Sequence, residues 1–275
     1  MISAETENKA PILITNDDGI QALGILTVAR LMSHLRRVIV VAPDSARSGA
    51  GCSITSTRPV EFAAWKGKAS PEADELLPEA GPYPIDYFTC SGTPVDCIKI
   101  ADEYVLNGAP ALLVSGINHG DNASCSLHYS GTMGAVIEGT LKGWPSVGFS
   151  LRTTNHLANF KPHHDAILRI ARFVLDNGMK QGEALNVNFP EVDELKGIKA
   201  TRMARGKWEQ EWADAHNPHG KRAYWLTGCF TNLEPEADDT DYWALDHGYC
   251  SVTPFQLDLT AHETLKKLTH SGLIS

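Results

Sequence analysis

Short apolar runs of four or five residues alternate with helix-period segments along most of this chain, a pattern that restricts it to a parallel sheet with crossover helices. The pattern predicts strands at 11–15, 38–42, 111–115, 146–150 and 185–189. From Ala22 to Leu35, Ala22, Ile25, Leu26, Ala29 and Met32 form an i, i+3, i+4 stripe, which predicts a helix burying one face on the sheet. Thr93-Pro94-Val95-Asp96 opens another helix: threonine suits the N-cap, proline the first helical position, and Asp96 the return contact of a capping box. Asp96 is therefore assigned a structural role. A third helix starts near Thr132 and carries Met133, Val136, Ile137 and Leu141 toward the sheet, with Gly134 and Gly139 allowing close approach. A fourth spans about His163 to Leu175. With 275 residues, the chain can bury a core that needs no covalent staples.

The pattern changes after about residue 190, which divides the chain into a core, 1–190, and a β-rich C-terminal part, 191–275. Between Arg202 and Leu226, Trp208, Trp212, Tyr224 and Trp225 stand among charges around Asn217-Pro218-His219-Gly220, reading as a β-hairpin or arm with a turn at its tip. Aromatics on such an arm suit a subunit contact or an ordinary hairpin packed on its own chain, and both readings stay open. Residues 235–246 are acidic and read as a loop, Tyr249 to Leu259 as a strand and Ala261 to Leu268 as a closing helix.

Charge and cysteine usage narrow the function. The 24 basic and 33 acidic side chains leave a net charge of −9, without a lysine or arginine block, which disfavours duplex nucleic acid as a partner. The six cysteines show no C-x-x-C pair and no dense spacing, so they read as reduced packing residues. The first ten residues lack a leader pattern, and no apolar run approaches the ~18 residues of a membrane span. The expectation is a soluble cytoplasmic protein without membrane partners.

The chemistry lies in the loops that follow the strands. Ile12-Leu13-Ile14-Thr15 runs directly into Asn16-Asp17-Asp18-Gly19, setting two adjacent carboxylates at a strand end. Two such charges repel, and partial burial raises the cost of ionising them, so they call for a cation between them; the plain alternative is a solvated turn. In open parallel sheets the ligand crevice lies beyond the carboxyl edge where strand order reverses. Polar residues after separate strands converge there: Asn16, Asp17 and Asp18; Pro43 to Gly51; and Gly116-Ile117-Asn118-His119-Gly120-Asp121-Asn122. Carboxylates with hydroxyl and amide oxygens make a hard site for magnesium, manganese or calcium. None of the 11 histidines shows the H-E-x-x-H spacing of a zinc protease. Tyr129-Ser130-Gly131-Thr132-Met133-Gly134 places small hydroxyls and glycines at a helix start, where free N–H groups and the helix dipole favour a phosphate; a simple N-cap uses the same residues.

Taken in order, Asn16-Asp17-Asp18-Gly19, Ala42-Pro43 through Arg47-Ser48-Gly49, Ser91-Gly92-Thr93-Pro94-Val95-Asp96-Cys97, Ser115 through Asn122 and Tyr129-Ser130-Gly131-Thr132 resemble the SurE survival-protein family. Tyr249 through Pro254 and Asp258-Leu259-Thr260 extend the resemblance over nearly the whole chain. The resemblance implies an α/β Rossmann-like core whose mostly parallel sheet is flanked by helices, a C-terminal segment swapped between subunits, and homodimers or homotetramers. It also implies a metal-dependent phosphatase acting on nucleoside monophosphates, a 5′-nucleotidase with 3′-nucleotidase or exopolyphosphatase activity as variants. By motif position, one divalent ion, magnesium or manganese, would be held by Asp17, Asp18, Ser48 and Asn118. Asn16, Gly49, Asn122, Ser130, Gly131 and Thr132 would line the phosphate pocket, and Asp17 would orient or deprotonate the attacking water.

Two rival readings remain. A haloacid-dehalogenase-type phosphatase also sets an aspartate after the first strand, but wants an acid two residues on, where this chain has Gly19. A nucleotide-binding oligomer without turnover would use the aromatic arm. Neither G-x-G-x-x-G nor the P-loop pattern occurs, nor does the G-x-S-x-G elbow.

Overall fold

The computed structural model describes residues 9–216 and 220–271. The chain begins with β1 (Ile12–Thr15), α1 (Leu23–Met32), β2 (Val38–Pro43), the short β3 (Phe62–Ala64), a single turn of helix α2 (Pro71–Leu76) and β4 (Ile85–Cys90). It continues through α3 (Pro94–Tyr104), β5 (Leu112–His119), α4 (Gly131–Leu141), β6 (Ser146–Arg152), α5 (His164–Asn177) and β7 (Glu183–Pro190). Strands β4-β2-β1-β5-β6-β7 lie side by side and parallel, the Rossmann order, with the reversal between β1 and β5. β3 closes one edge antiparallel to β4.

Both faces are covered, which is why the strand runs are apolar at every position rather than at alternate ones. Ile12 and Ile14 of β1 face a cluster built with α1 and α5, whereas Leu13 faces the other side with Cys97, Ile98 and Ala101 of α3. α1 was expected to bury one face, yet nine of its ten residues are buried, because it packs against α5 as well as against the sheet. Leu141 was expected to point inward with Met133 and Val136 but is 66% exposed. Met133 and Val136 do lie fully buried against Gly148 of β6, and further along α4 meets the sheet through Gly139, where a Cβ would lie 2.1 Å from Leu113 Cδ2. β4 gave no apolar run: its residues up to Thr89 are half-buried near the edge and include the exposed-side Asp86.

After residue 190 the chain returns to the sheet. β8 (Ile198–Ala200) is followed by a ribbon of β9 (Gly206–Glu209), β10 (Trp212–Ala215), β11 (Ala223–Leu226) and β12 (Cys229–Asn232). β10 pairs with β11 and β9 with β12, so the expected arm is real but longer, in two tiers broken at Gln210 and Gly228, both at positive φ. Asn217, Pro218 and His219 of the expected tip turn lie outside the described residues. The acidic segment expected to be a loop contains helix α6 (Asp241–Asp246), because Thr240 caps it by accepting from the Trp243 N–H at 3.2 Å. β13 (Cys250–Gln256) pairs antiparallel with β7 and parallel with β8, and α7 (His262–His270) closes the chain with no buried residue. Among the described residues no helix is long and apolar enough to cross a membrane.

Candidate active site

The reversal between β1 and β5 brings the loops after β1, β2 and β5 against the start of α4. In the first loop Asn16 is fully buried; its Nδ2 donates to Gly19 O at 2.9 Å and its Oδ1 accepts from the Gly19 N–H at 3.2 Å. That pair of bonds closes the turn, so Asn16 shapes the loop, and the pocket wall does not include it.

Asp17 is 3% exposed, and its Oδ1 accepts from Thr132 Oγ1 at 2.5 Å. The Arg47 N–H donates to its backbone oxygen at 2.6 Å, tying the loop that carries Ser48 to the loop that carries the carboxylate. Gly131 makes this arrangement fit: a Cβ there would lie 2.8 Å from Asp17 Cβ and 2.9 Å from Oδ2. Burial pushes the Asp17 carboxyl up to about 6; the Thr132 hydroxyl pulls the other way, and the neighbouring Asp18 charge adds to the rise. Asp18 Oδ2 accepts from the backbone N–H of His119 and from its Nδ1, both at 3.1 Å. Nδ1 therefore carries the hydrogen, and the buried Nε2 has no partner among the described residues.

From the β5 loop, Asn118 Nδ2 donates to Gly120 O at 2.7 Å, which fixes the amide and frees Oδ1 as an acceptor. Asn122 is held from two strands: its N–H donates to Asn188 Oδ1 at 2.7 Å, its Nδ2 to Ser150 Oγ at 2.8 Å, and its carbonyl accepts from Asn186 Nδ2 at 2.7 Å. Ser130 caps α4 by accepting from the Met133 N–H at 3.1 Å, leaving its own hydrogen to donate elsewhere. Asp96 forms both halves of the capping box on α3, as its spacing predicted, and also accepts from the Thr55 N–H at 3.1 Å, anchoring the chain just beyond Ser48 and Gly49.

These groups open on one pocket of about 550 Å³. Of the residues singled out by sequence, Asp17, Ser48, Gly49, Asn118, Asn122 and Ser130 line it. Thr132, fully buried, stands behind Asp17, Gly131 lies against the same carboxylate, and Asp18 sits behind His119. Sequence reasoning missed His119, Asp121, Ser126 and Tyr129, although all lie inside or beside the quoted motifs. It had no means of placing Trp208, Glu211, Leu226 and Thr227 of the arm in the same wall.

The donor set fits a hard divalent cation. Among the described residues no three histidine, cysteine, aspartate or glutamate side chains gather as a metal cluster, so a cation here relies on two carboxylates and on the neutral oxygens of Ser48 and Asn118. Asp17 is buried with no ion pair among the described residues, and a positive charge would satisfy it. A larger cavity, about 670 Å³, lies between α1 and Trp65, but its Arg30 is already engaged with Asp74 at 3.0 Å and Pro78 O at 3.1 Å.

Residues 12–210 match the family described as survival protein SurE. The chain is 44% identical over 269 residues to the 5′-nucleotidase SurE of Phocaeicola vulgatus, covering 97% of this chain and 98% of the relative. It is 46% identical over 264 residues to the protein of the same name from Cytophaga hutchinsonii, covering 95% and 96%. Its fold is similar to the crystal structure of the SurE protein from Aquifex aeolicus, with a TM-score of 0.75, 33% identity, and coverage of 95% of this chain and 99% of that one.

Proposed function

The chain belongs to the survival protein SurE family and is a 5′-nucleotidase, and we propose that it hydrolyses nucleoside monophosphates in the pocket walled by Asp17, Ser48, Asn118 and Ser130, with one divalent ion, magnesium or manganese. The observation that carries this assignment is Asp17, a buried carboxylate next to a second one at the sheet's reversal point, facing neutral oxygen donors and a helix start.

Asp17, Asp18, Ser48 and Asn118 would hold the ion, which when bound offsets charge on the phosphoryl oxygens and acidifies a water. Asp17 orients the attacking water and accepts its proton, while the Thr132 hydroxyl and backbone N–H keep the carboxylate ionised and in place. Ser130 donates its free hydroxyl hydrogen to a phosphoryl oxygen, and Asn122 adds its remaining amide hydrogen, so the growing negative charge meets fixed donors. His119 holds Asp18 by two bonds to one oxygen. Residues 1–190 carry this machinery, and 191–275 carry the arm and the assembly elements.

A phosphate-release assay over nucleoside monophosphates, with magnesium, manganese or a chelator, tests the reading. Release should require a divalent ion and should fall at least about 100-fold in Asp17→Asn. Near-normal turnover in that variant, or release that ignores chelation, would overturn it.

Assembly into a homodimer or homotetramer is part of the same reading. α7 buries no residue although Leu265 and Leu268 punctuate it, and Trp212 and Trp225 of the outer ribbon are 66% and 70% exposed. Light scattering should give two or four times the 29.9 kDa chain mass; a monomer at micromolar concentration would refute the assembly.

A further inference from the structure

The outer wall of the active-site pocket belongs to the arm, and the nucleotidase reading leaves it without a task. Trp208, Glu211, Leu226 and Thr227 face the same space as Asp17 and Ser130, and Tyr129 stands beside them, 64% exposed. A pocket of about 550 Å³ lies within the roughly 300–1,000 Å³ of small-molecule sites and far exceeds what a phosphate group needs. We infer that this wall is the nucleobase subsite, in which the base packs on the indole of Trp208, so that the arm sets the preference for nucleoside phosphates over phosphate esters that lack a base. The inference rests on the nucleotidase reading and deepens it.

The chemistry of the wall is graded. At the inner end the ends of the β1, β2 and β5 loops and the capped start of α4 suit an anion held with a cation. At the outer end the arm adds two acceptors beside the Trp208 indole: the Glu211 carboxylate, and the Thr227 hydroxyl, whose hydrogen is given to Gln210 O at 3.1 Å. Such a rim repels phosphate and accepts from the hydroxyl and amino donors that a nucleoside carries, which orients the substrate with its phosphate inward. Base stacking on an aromatic ring is also tolerant of base identity, because every base offers a π-face.

Trp208 is not a loose surface side chain. Its ring meets Phe230 edge-on at 6.0 Å, Phe230 stacks on Tyr242 at 4.1 Å, and Tyr242 lies over the Arg152 guanidinium at 4.6 Å. Arg152 in turn bonds Asp121 at 3.0 Å, and Asp121 lines the floor of the same pocket. Phe230 can lie flat on β9 only because residue 206 is glycine; a Cβ there would fall 2.0 Å from the ring. A relay of rings thus joins the outer wall to the floor and holds the indole in place before substrate arrives, which lowers the entropy lost on binding.

The test compares adenosine 5′-monophosphate with ribose 5-phosphate, which carries the same ester without a base, in wild-type protein, Trp208→Ala and Trp208→Phe. In Trp208→Ala the ratio of kcat/KM for the nucleotide to that for the sugar phosphate should fall about tenfold or more, through KM, and Trp208→Phe should recover most of it. Free adenosine should compete with the nucleotide in wild type and lose at least about fivefold in affinity in Trp208→Ala. An unchanged ratio, or equal losses on both substrates, overturns the subsite while leaving the phosphatase intact; failure of wild type to release phosphate from either substrate overturns the nucleotidase reading itself.

Discussion

Asp17 illustrates how much one residue depends on its neighbours. The sequence marks it as half of an adjacent carboxylate pair, but its 3% exposure and its bond to Thr132 come from a residue 115 positions away. Thr132 looks in the sequence like a phosphate ligand at a helix start; in the fold its side chain faces Asp17. A hydrogen bond to a charged group contributes about 1.5–3 kcal/mol. Thr132→Val, which keeps the shape and removes the donor, should therefore weaken manganese binding by roughly tenfold or more in titration calorimetry, with far-UV circular dichroism unchanged. Unaltered affinity would show that the Thr132–Asp17 bond does not tune the cation site. Asn16 makes the opposite point: the turn it closes is local, so its structural task could have been read from the Asn-x-x-Gly spacing, where the pocket reading competed with it.

At the scale of elements, the legible parts are those whose signals are local. The capping box on α3 and the strands buried on both faces follow from neighbouring residues, and the structure contains them with ends moved by at most four residues. What escaped is held by distant partners. α6 is too short to show periodicity, yet its fully buried Asp241 accepts from the Ser124 N–H at 2.7 Å, the Ala204 N–H at 2.9 Å and the Tyr242 N–H at 2.8 Å. One carboxylate thereby clamps the 3-10 turn Ser124–His128, the base of the arm and the start of α6. Burial raises its pKa, with those N–H donors opposing the rise. Asp241→Ala leaves three donors unpaired and should cost several kcal/mol, on the order of 3, read as a lower urea midpoint. Asp241→Asn, which keeps one acceptor oxygen, should lose less; equal midpoints for wild type and Asp241→Ala would remove the clamp from the account.

The whole molecule adds a pH dependence that no segment shows alone. His163 is 1% exposed, packs tilted against Phe189 with ring centroids 5.0 Å apart, and has an Nδ1 without a partner among the described residues. Burial, aided by the adjacent His164, lowers its pKa to about 4, below the 6.5 of an unfolded chain. The unfolded state therefore binds the extra proton between these values, so the stabilising contribution is complete above pH 6.5 and is lost as pH falls from there through 4. Between pH 7 and pH 5 the loss from this group is about 2 kcal/mol. Urea titrations at the two pH values should show that difference shrinking in His163→Phe, and an undiminished slope would assign the acid sensitivity elsewhere. By itself the sequence determined the alternation of strands and helices, the caps and the chemistry of the strand-end loops, because apolar period, capping and oxygen donors act over a few residues. Only the tertiary structure decided that Thr132 serves Asp17, that Asp241 ties three segments together and that the arm walls the pocket, because each of these depends on which distant surfaces the parallel sheet brings into contact.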